Sequence, residues 1–235
     1  QTPFKNIFIQ PAAGDAGGAL GVAFYIWNVL LGQSRNFVMD HAYWGPSYSN
    51  EEIENFLKKN SIKYRRLKEE ELTKKTANLI AQNKVVGWFH GRMEFGPRAL
   101  GHRSILANAS STEMKETINQ KIKHREPFRP FTPSVLAEYS SQYFDLKPES
   151  PFMLLVADVY SQKRKIIPAI THVDGTARVQ TVRQEVNGRY YDLIFQYHSL
   201  TGVPVILNTS FNVRGEPIVC TPYDAYKCMM GTGID

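Results

Sequence analysis

The sequence predicts an α/β fold with a twisted mixed sheet and helices. Three observations predict it. Short apolar runs, such as residues 85–89 and 203–207, have the length and β-branched content of buried strands. Between such runs lie stretches with apolar residues three and four apart, the spacing of a helix packed along one face. Strands and helices also mix without strict alternation, which argues against a purely parallel sheet. At 235 residues, 43% hydrophobic and 21% charged, the chain is long and apolar enough to bury a core, and wholesale disorder is excluded.

In chain order, residues 6–10 read as a buried strand, 11–18 as a small-residue loop and 19–31 as a helix closed by Gly32. Residues 33–50 are polar and aromatic and read as a connector. Ser49 and Glu52 have the spacing of a capping box, with Ile53, Phe56 and Leu57 as the apolar stripe of the helix that follows. Tyr64 sits in a short candidate strand. A helix is expected over 70–82, then a strand over 85–89, a Gly- and Pro-rich loop over 91–103 and a strand over 104–107. Ser110 and Glu113 suggest a second capping box, opening a helix over 112–124 with Met114, Ile118 and Ile122 on one face. Pro127, Pro130 and Pro133 then enforce an extended segment. Strands are expected over 152–159, 179–182 and 203–207, and a helix over 189–200 ending at Gly202. Thr221, Pro222 and Asp224 mark the start of the last helix.

The formal charge is +6, and between Arg92 and Arg129 eight basic residues face four acids, so this segment alone carries +4. Such an excess suits an anionic ligand, although a solvated basic face has the same composition. Two cysteines, Cys220 and Cys228, stand eight residues apart with no metal-ligand spacing, which points to free thiols and a reducing compartment. There is no run of 18 apolar residues, so no membrane-spanning helix is expected. The first residues have no signal-peptide pattern.

Four segments concentrate polar chemistry. The loop 91–104 holds Arg92, Arg98 and Arg103 among three glycines, directly after an apolar strand. Glycines let backbone approach a phosphate, and guanidinium groups donate bidentately. Glu94 reads as an orienting partner for an arginine. The segment 121–131 carries Lys121, Lys123, His124, Arg125 and Arg129. The helix dipole explains the first three but not the two arginines past the helix end. The segment 207–212 offers Asn208, Thr209, Ser210 and Asn212 beyond a buried strand, as a ligand rim or as turn residues. In the segment 171–183, strand alternation places Arg178 and Gln180 on one face and Arg183 on the other. Asp15 stands alone in its loop and reads as a turn or cap residue.

Taken together, the runs GRMEFGPRALGHRSILAN (91–108), KIKHREPFRPFTPSV (121–135), HVDGTARVQTV (172–182) and LNTSFNVRGEPIV (207–219) resemble the C-terminal half of the O-carbamoyltransferases. That family includes nodulation protein U and the enzymes that carbamoylate tobramycin and cephamycin antibiotics. The resemblance implies a YrdC-like domain over 46–235. Residues 1–45 would then be a strand-loop-helix remnant of an actin-like first domain plus a connector. It further implies that carbamoyl phosphate and ATP, with Mg2+, react here to carbamoyladenylate, for later transfer to a hydroxyl-bearing small-molecule acceptor.

On that reading Arg92, Arg98, Lys123 and Arg129 are the catalytic candidates, and Arg125, Arg178, Asn208 and Ser210 the ATP-binding ones. Asp15 matches the family aspartate that joins histidines on Fe2+ or a similar divalent metal. Those histidines have no counterpart here, so Asp15 is expected to bind metal only together with the actin-like domain. The chain reads as the activation half of a longer cytoplasmic enzyme. Separation from the first domain would expose an apolar surface near residues 4–31, open to a homodimer. The alternative is an RNA- or nucleotide-binding module without carbamoyl chemistry. An RNA site calls for exposed aromatics among the cations, whereas Phe95, Phe128 and Phe131 are expected to pack in the core.

Overall fold

The computed structural model describes Pro3 and residues 7–235. One six-stranded sheet organises the molecule: β1 Val86–Phe89, β2 Arg103–Asn108, β3 Thr132–Leu136, β4 Leu155–Asp158, β5 Thr176–Val182 and β6 Val205–Ser210. Their spatial order is β1-β2-β6-β3-β5-β4. Only β3 and β5 run parallel; every other neighbouring pair is antiparallel. This is the mixed sheet the sequence predicts.

The helices are α1 Gly18–Tyr25, α2 Asn50–Lys59, α3 Glu69–Ala81, α4 Met114–Ile118, α5 Ser140–Tyr143, α6 Ser161–Arg164, α7 Gly188–Thr201 and α8 Pro222–Met230. The two best-marked caps form. Ser49 and Glu52 bond reciprocally at the start of α2, and Thr221 and Asp224 at the start of α8. α3 and α7 pack together, and α7 rests on β3 and β6. The core beneath them includes Ile80, Trp88, Leu106, Tyr190, Tyr197 and Leu207, all buried.

Several expectations are corrected. Residues 7–10 form no strand, because no described residue offers them a ladder; Asn6 lies outside the described residues. Tyr64 is likewise not in a strand, and its hydroxyl donates to Glu54 at 2.6 Å. The box expected at Ser110 does not form. Ser110 N–H is captured by Asn108 Oδ1 at 2.8 Å, and the helix opens later, at Met114. That helix then widens into a π-turn, Asn119–Lys123, and stops at His124 with φ 45°. β4 is shorter than expected, since Met153 adopts φ 56° in a turn. The segment braced by prolines is a true strand, β3. Its Pro133 precedes Ser134, where β5 joins, so the ladder to β5 needs no N–H from it.

Candidate anion-binding site

Directly paired residues on neighbouring strands point to the same face. The register therefore lays a polar stripe across the sheet. Ser104 opposes Ser210, Asn208 opposes Thr132, and Ser134 opposes Gln180, with Arg178 two residues before Gln180. β6 runs on through Ser210, so Asn208 and Ser210 lie on the strand and not beyond it.

The loop 91–102 is fastened over this stripe. Asn208 Nδ2 donates to the Ala99 carbonyl at 3.1 Å, and Gln180 Nε2 donates to the Leu100 carbonyl at 2.9 Å. Tyr43 of the connector donates to the same carbonyl at 3.0 Å. Glu94 does not orient an arginine side chain. Its Oε1 accepts from the N–H groups of Leu100, His102 and Arg103 at 2.6, 2.8 and 3.3 Å. Burial pushes the Glu94 carboxyl up, and these N–H groups oppose that push. Gly101 adopts φ 102°, and a Cβ there would meet the Tyr190 ring at 2.3 Å. Arg103 is wholly buried. Its guanidinium bonds the carbonyls of Pro46, His90, Gly91 and His102 and lies 3.7 Å over the Phe89 ring. It ties connector to loop and has no donor pointing at an open site, save a buried Nε without a partner.

Two cationic clusters remain beside the stripe. In the first, Lys123 is almost fully buried. Its ammonium donates to the Ser210 and Asn212 carbonyls at 2.6 and 2.9 Å and to Asn212 Oδ1 at 2.7 Å, with Ser210 Oγ at 3.2 Å. Burial, and then Arg125, bring its pKa down to about 7. Arg125 Nε donates to Asn119 Oδ1 at 2.7 Å, and its guanidinium lies 4.8 Å over the Phe131 ring. In the second, Arg98 and Arg178 are half-buried, and each keeps a buried Nε with no partner. Burial, and then the neighbouring Arg98, hold Arg178 down to about 10. None of these four cations takes part in a salt bridge among the described residues.

The other candidates stand elsewhere or act differently. Arg92 is exposed and donates to the Trp44 carbonyl at 2.8 Å, beside a cavity of about 420 Å³ lined by His41, Tyr43, Trp44, His102 and Val186. Arg129 is exposed and paired with Glu126 at 2.7 Å. Asn208 is fully buried under the loop, so it holds the loop and does not reach an open surface. Asp15 is exposed, and among the described residues no three His, Cys, Asp or Glu side chains gather as a metal site. Asn212 and Gln180 matter more than their sequence context suggests. The signal for Gln180 was its place two residues after Arg178, on the same face of a strand.

Residues 77–235 match the family model described as carbamoyltransferase C-terminus. The chain is 50% identical to the uncharacterized protein sll1178 of Synechocystis, covering 99% of this chain and 42% of that protein. It is 42% identical to nodulation protein NolO of Bradyrhizobium diazoefficiens, over 99% of this chain and 43% of that protein. It is 33% identical to nodulation protein U of Rhizobium fredii, over 97% and 37%. The chain thus spans less than half the length of these relatives. A solved structure, full-length HypF in the phosphate- and nucleotide-bound form, aligns over 68% of this chain and 20% of its own, with TM-score 0.48 and 20% identity. With more than half its length matched by the family model, the chain belongs to the carbamoyltransferase family, as its C-terminal part.

Proposed function

We propose that this part of the protein binds carbamoyl phosphate and ATP and forms carbamoyladenylate, which a hydroxyl acceptor then receives elsewhere in the longer protein. One observation carries the reading: Arg98, Lys123, Arg125 and Arg178 border one polar sheet stripe and have no carboxylate partner. A buried guanidinium N–H without an acceptor costs about 1–3 kcal/mol, and an anionic ligand would satisfy two such groups side by side.

The chemistry balances in two steps. Water cleaves carbamoyl phosphate to carbamate and phosphate. A carbamate oxygen then attacks the ATP α-phosphorus, and pyrophosphate leaves. No side-chain base is needed in the second step, because carbamate is already anionic. The cations offset the repulsion between two anions and the charge that grows on the leaving oxygens. Mg2+ on the ATP phosphates is part of this proposal, as is a cytoplasmic location. Asp15 is assigned a metal only in company with ligands outside this chain, so no step is routed through it.

The RNA alternative asks for several exposed aromatics among the cations. Phe131 is buried and Phe95 half-buried, which leaves Phe128, 71% exposed. One ring does not build a base-stacking platform. The test is pyrophosphate release from ATP and Mg2+ with and without carbamoyl phosphate. The expected outcome is carbamoyl-phosphate-dependent release that drops at least 100-fold in Arg98→Ala. ATP binding without such release from the folded chain would sink the activation reading.

A further inference from the structure

The turn 172–176 carries a chain of side-chain hydrogen bonds at the start of β5, where Thr176 shares a strand face with Arg178 two residues on. Asp174 Oδ1 accepts from Thr176 N–H at 3.0 Å and from Thr176 Oγ1 at 2.7 Å. A threonine hydroxyl has one proton, and here it is engaged by the carboxylate. The 3.1 Å contact between Thr176 Oγ1 and His172 Nδ1 must therefore run the other way, with Nδ1–H donating. That fixes the tautomer: the neutral ring carries its proton on Nδ1 and a lone pair on Nε2. Burial keeps this imidazole below its usual pKa; Asp174 opposes that, while Arg178 and Lys115 reinforce it.

His172 Nε2 is buried and has no partner. The Phe131 backbone, a second acceptor for the ring, joins Asp174 in opposing the lowering by burial. The buried Nε–H groups of Arg178, on the same strand face, and of its neighbour Arg98 have the opposite character, as unpartnered donors. A ligand that satisfies this arrangement has acceptor oxygens on one side and an N–H donor on the other. A fully ionised phosphate has no donor, and an acetyl group presents a methyl. A carbamoyl group presents an oxygen and an NH2.

We propose that His172 Nε2 accepts a hydrogen bond from the carbamoyl NH2, which makes His172 a specificity-determining residue that selects carbamoyl phosphate over acyl phosphates lacking an N–H. This rests on the activation reading above. Thr176 and Asp174 act as positioning residues, because they hold the tautomer that leaves Nε2 bare. A site built around a buried hydrogen-bonding group rejects a ligand that leaves it unpaired by on the order of 100-fold or more.

The test compares carbamoyl phosphate with acetyl phosphate, by calorimetric titration of the chain and by ATP-dependent pyrophosphate release. The wild-type chain should bind carbamoyl phosphate at least tenfold more tightly. His172→Phe should bring the two affinities within about threefold, by weakening carbamoyl phosphate and leaving acetyl phosphate unchanged. Thr176→Val frees the ring to reverse its tautomer and should narrow the preference without touching either arginine. His172→Gln, which restores an acceptor oxygen, should recover part of it. An unchanged preference in folded His172→Phe and Thr176→Val would overturn the assignment. Equal loss of both ligands would also overturn it, because that marks a purely structural role. If the wild-type chain binds neither phosphate and releases no pyrophosphate, the activation reading itself fails. Selective pyrophosphate release with an unaltered preference in the variants leaves that reading standing and removes only His172.

Discussion

At the scale of single residues, the site sorts its cations by what surrounds them. Arg103 is enclosed by carbonyls and fixes backbone, whereas Arg98 and Arg178 keep unpaired N–H groups. Lys123 is enclosed in the same way as Arg103. Three carbonyl-type oxygens at 2.6–2.9 Å match the three protons of an ammonium, while burial brings its pKa down to about 7. The ordinary value is 10.5, so between the two values the unfolded chain holds a proton that the folded chain releases. The penalty for burying the charge is therefore full below pH 7 and relieved as pH rises toward 10.5. Binding runs in the opposite direction. An anionic ligand favours the ammonium, so affinity for ATP should fall as pH rises from 7 to 9, and binding should take up a proton in that window. Titration calorimetry at pH 8 in two buffers of different ionisation enthalpy measures that uptake. Lys123→Met should abolish the uptake, and identical uptake in the variant would assign the proton to another group.

At the scale of elements, the loop 91–102 depends on a few backbone positions, and this governs what could be read in the sequence. Gly101 is the sharpest case. Its φ of 102° is strained for any side chain, and a Cβ would enter the Tyr190 ring. Gly101→Ala should destabilise the fold by about 2–3 kcal/mol and weaken ATP binding in the molecules still folded, as read by urea denaturation and titration. A loss under 0.5 kcal/mol would mean that α7 yields readily and does not clamp the loop. The capping boxes of α2 and α8 were legible because they are local, a hydroxyl and a carboxylate three residues apart. Arg183, read as a strand residue facing away from Arg178, instead lies one residue past β5, where it pairs with Glu149. The box at Ser110 failed for a tertiary reason, since Asn108 competes for its N–H. Burial of Asn208 was not legible either. It depends on the loop returning 109 residues away in sequence to accept its amide. Glu94 misled for the same reason, because carboxylate next to arginine in sequence suggests an ion pair, while folding gives it three amides.

At the scale of the whole molecule, packing is uneven. The sheet and its helices share one core, in which β2, β3 and β6 are nearly free of exposed residues. Residues 7–38 are different. Tyr25, Trp27, Val29, Leu30 and Leu31 are each more than half exposed, as are Ile7, Phe8 and Val38, and α1 buries none of its residues. Apolar exposure on this scale is unusual for a free surface and marks a face that associates. The relatives are more than twice as long as this chain. The chain alone should then show two regimes in hydrogen exchange: strong protection in β2, β3 and β6, and weak protection through residues 18–31. It should also self-associate at rising concentration, as seen by sedimentation velocity. Trp27→Lys with Leu30→Lys should suppress that association. The same pair should change unfolding free energy by no more than about 0.5 kcal/mol, because both side chains already lie largely in water. A large stability loss, or exchange in α1 as slow as in the central strands, would instead make this arm part of the folded core.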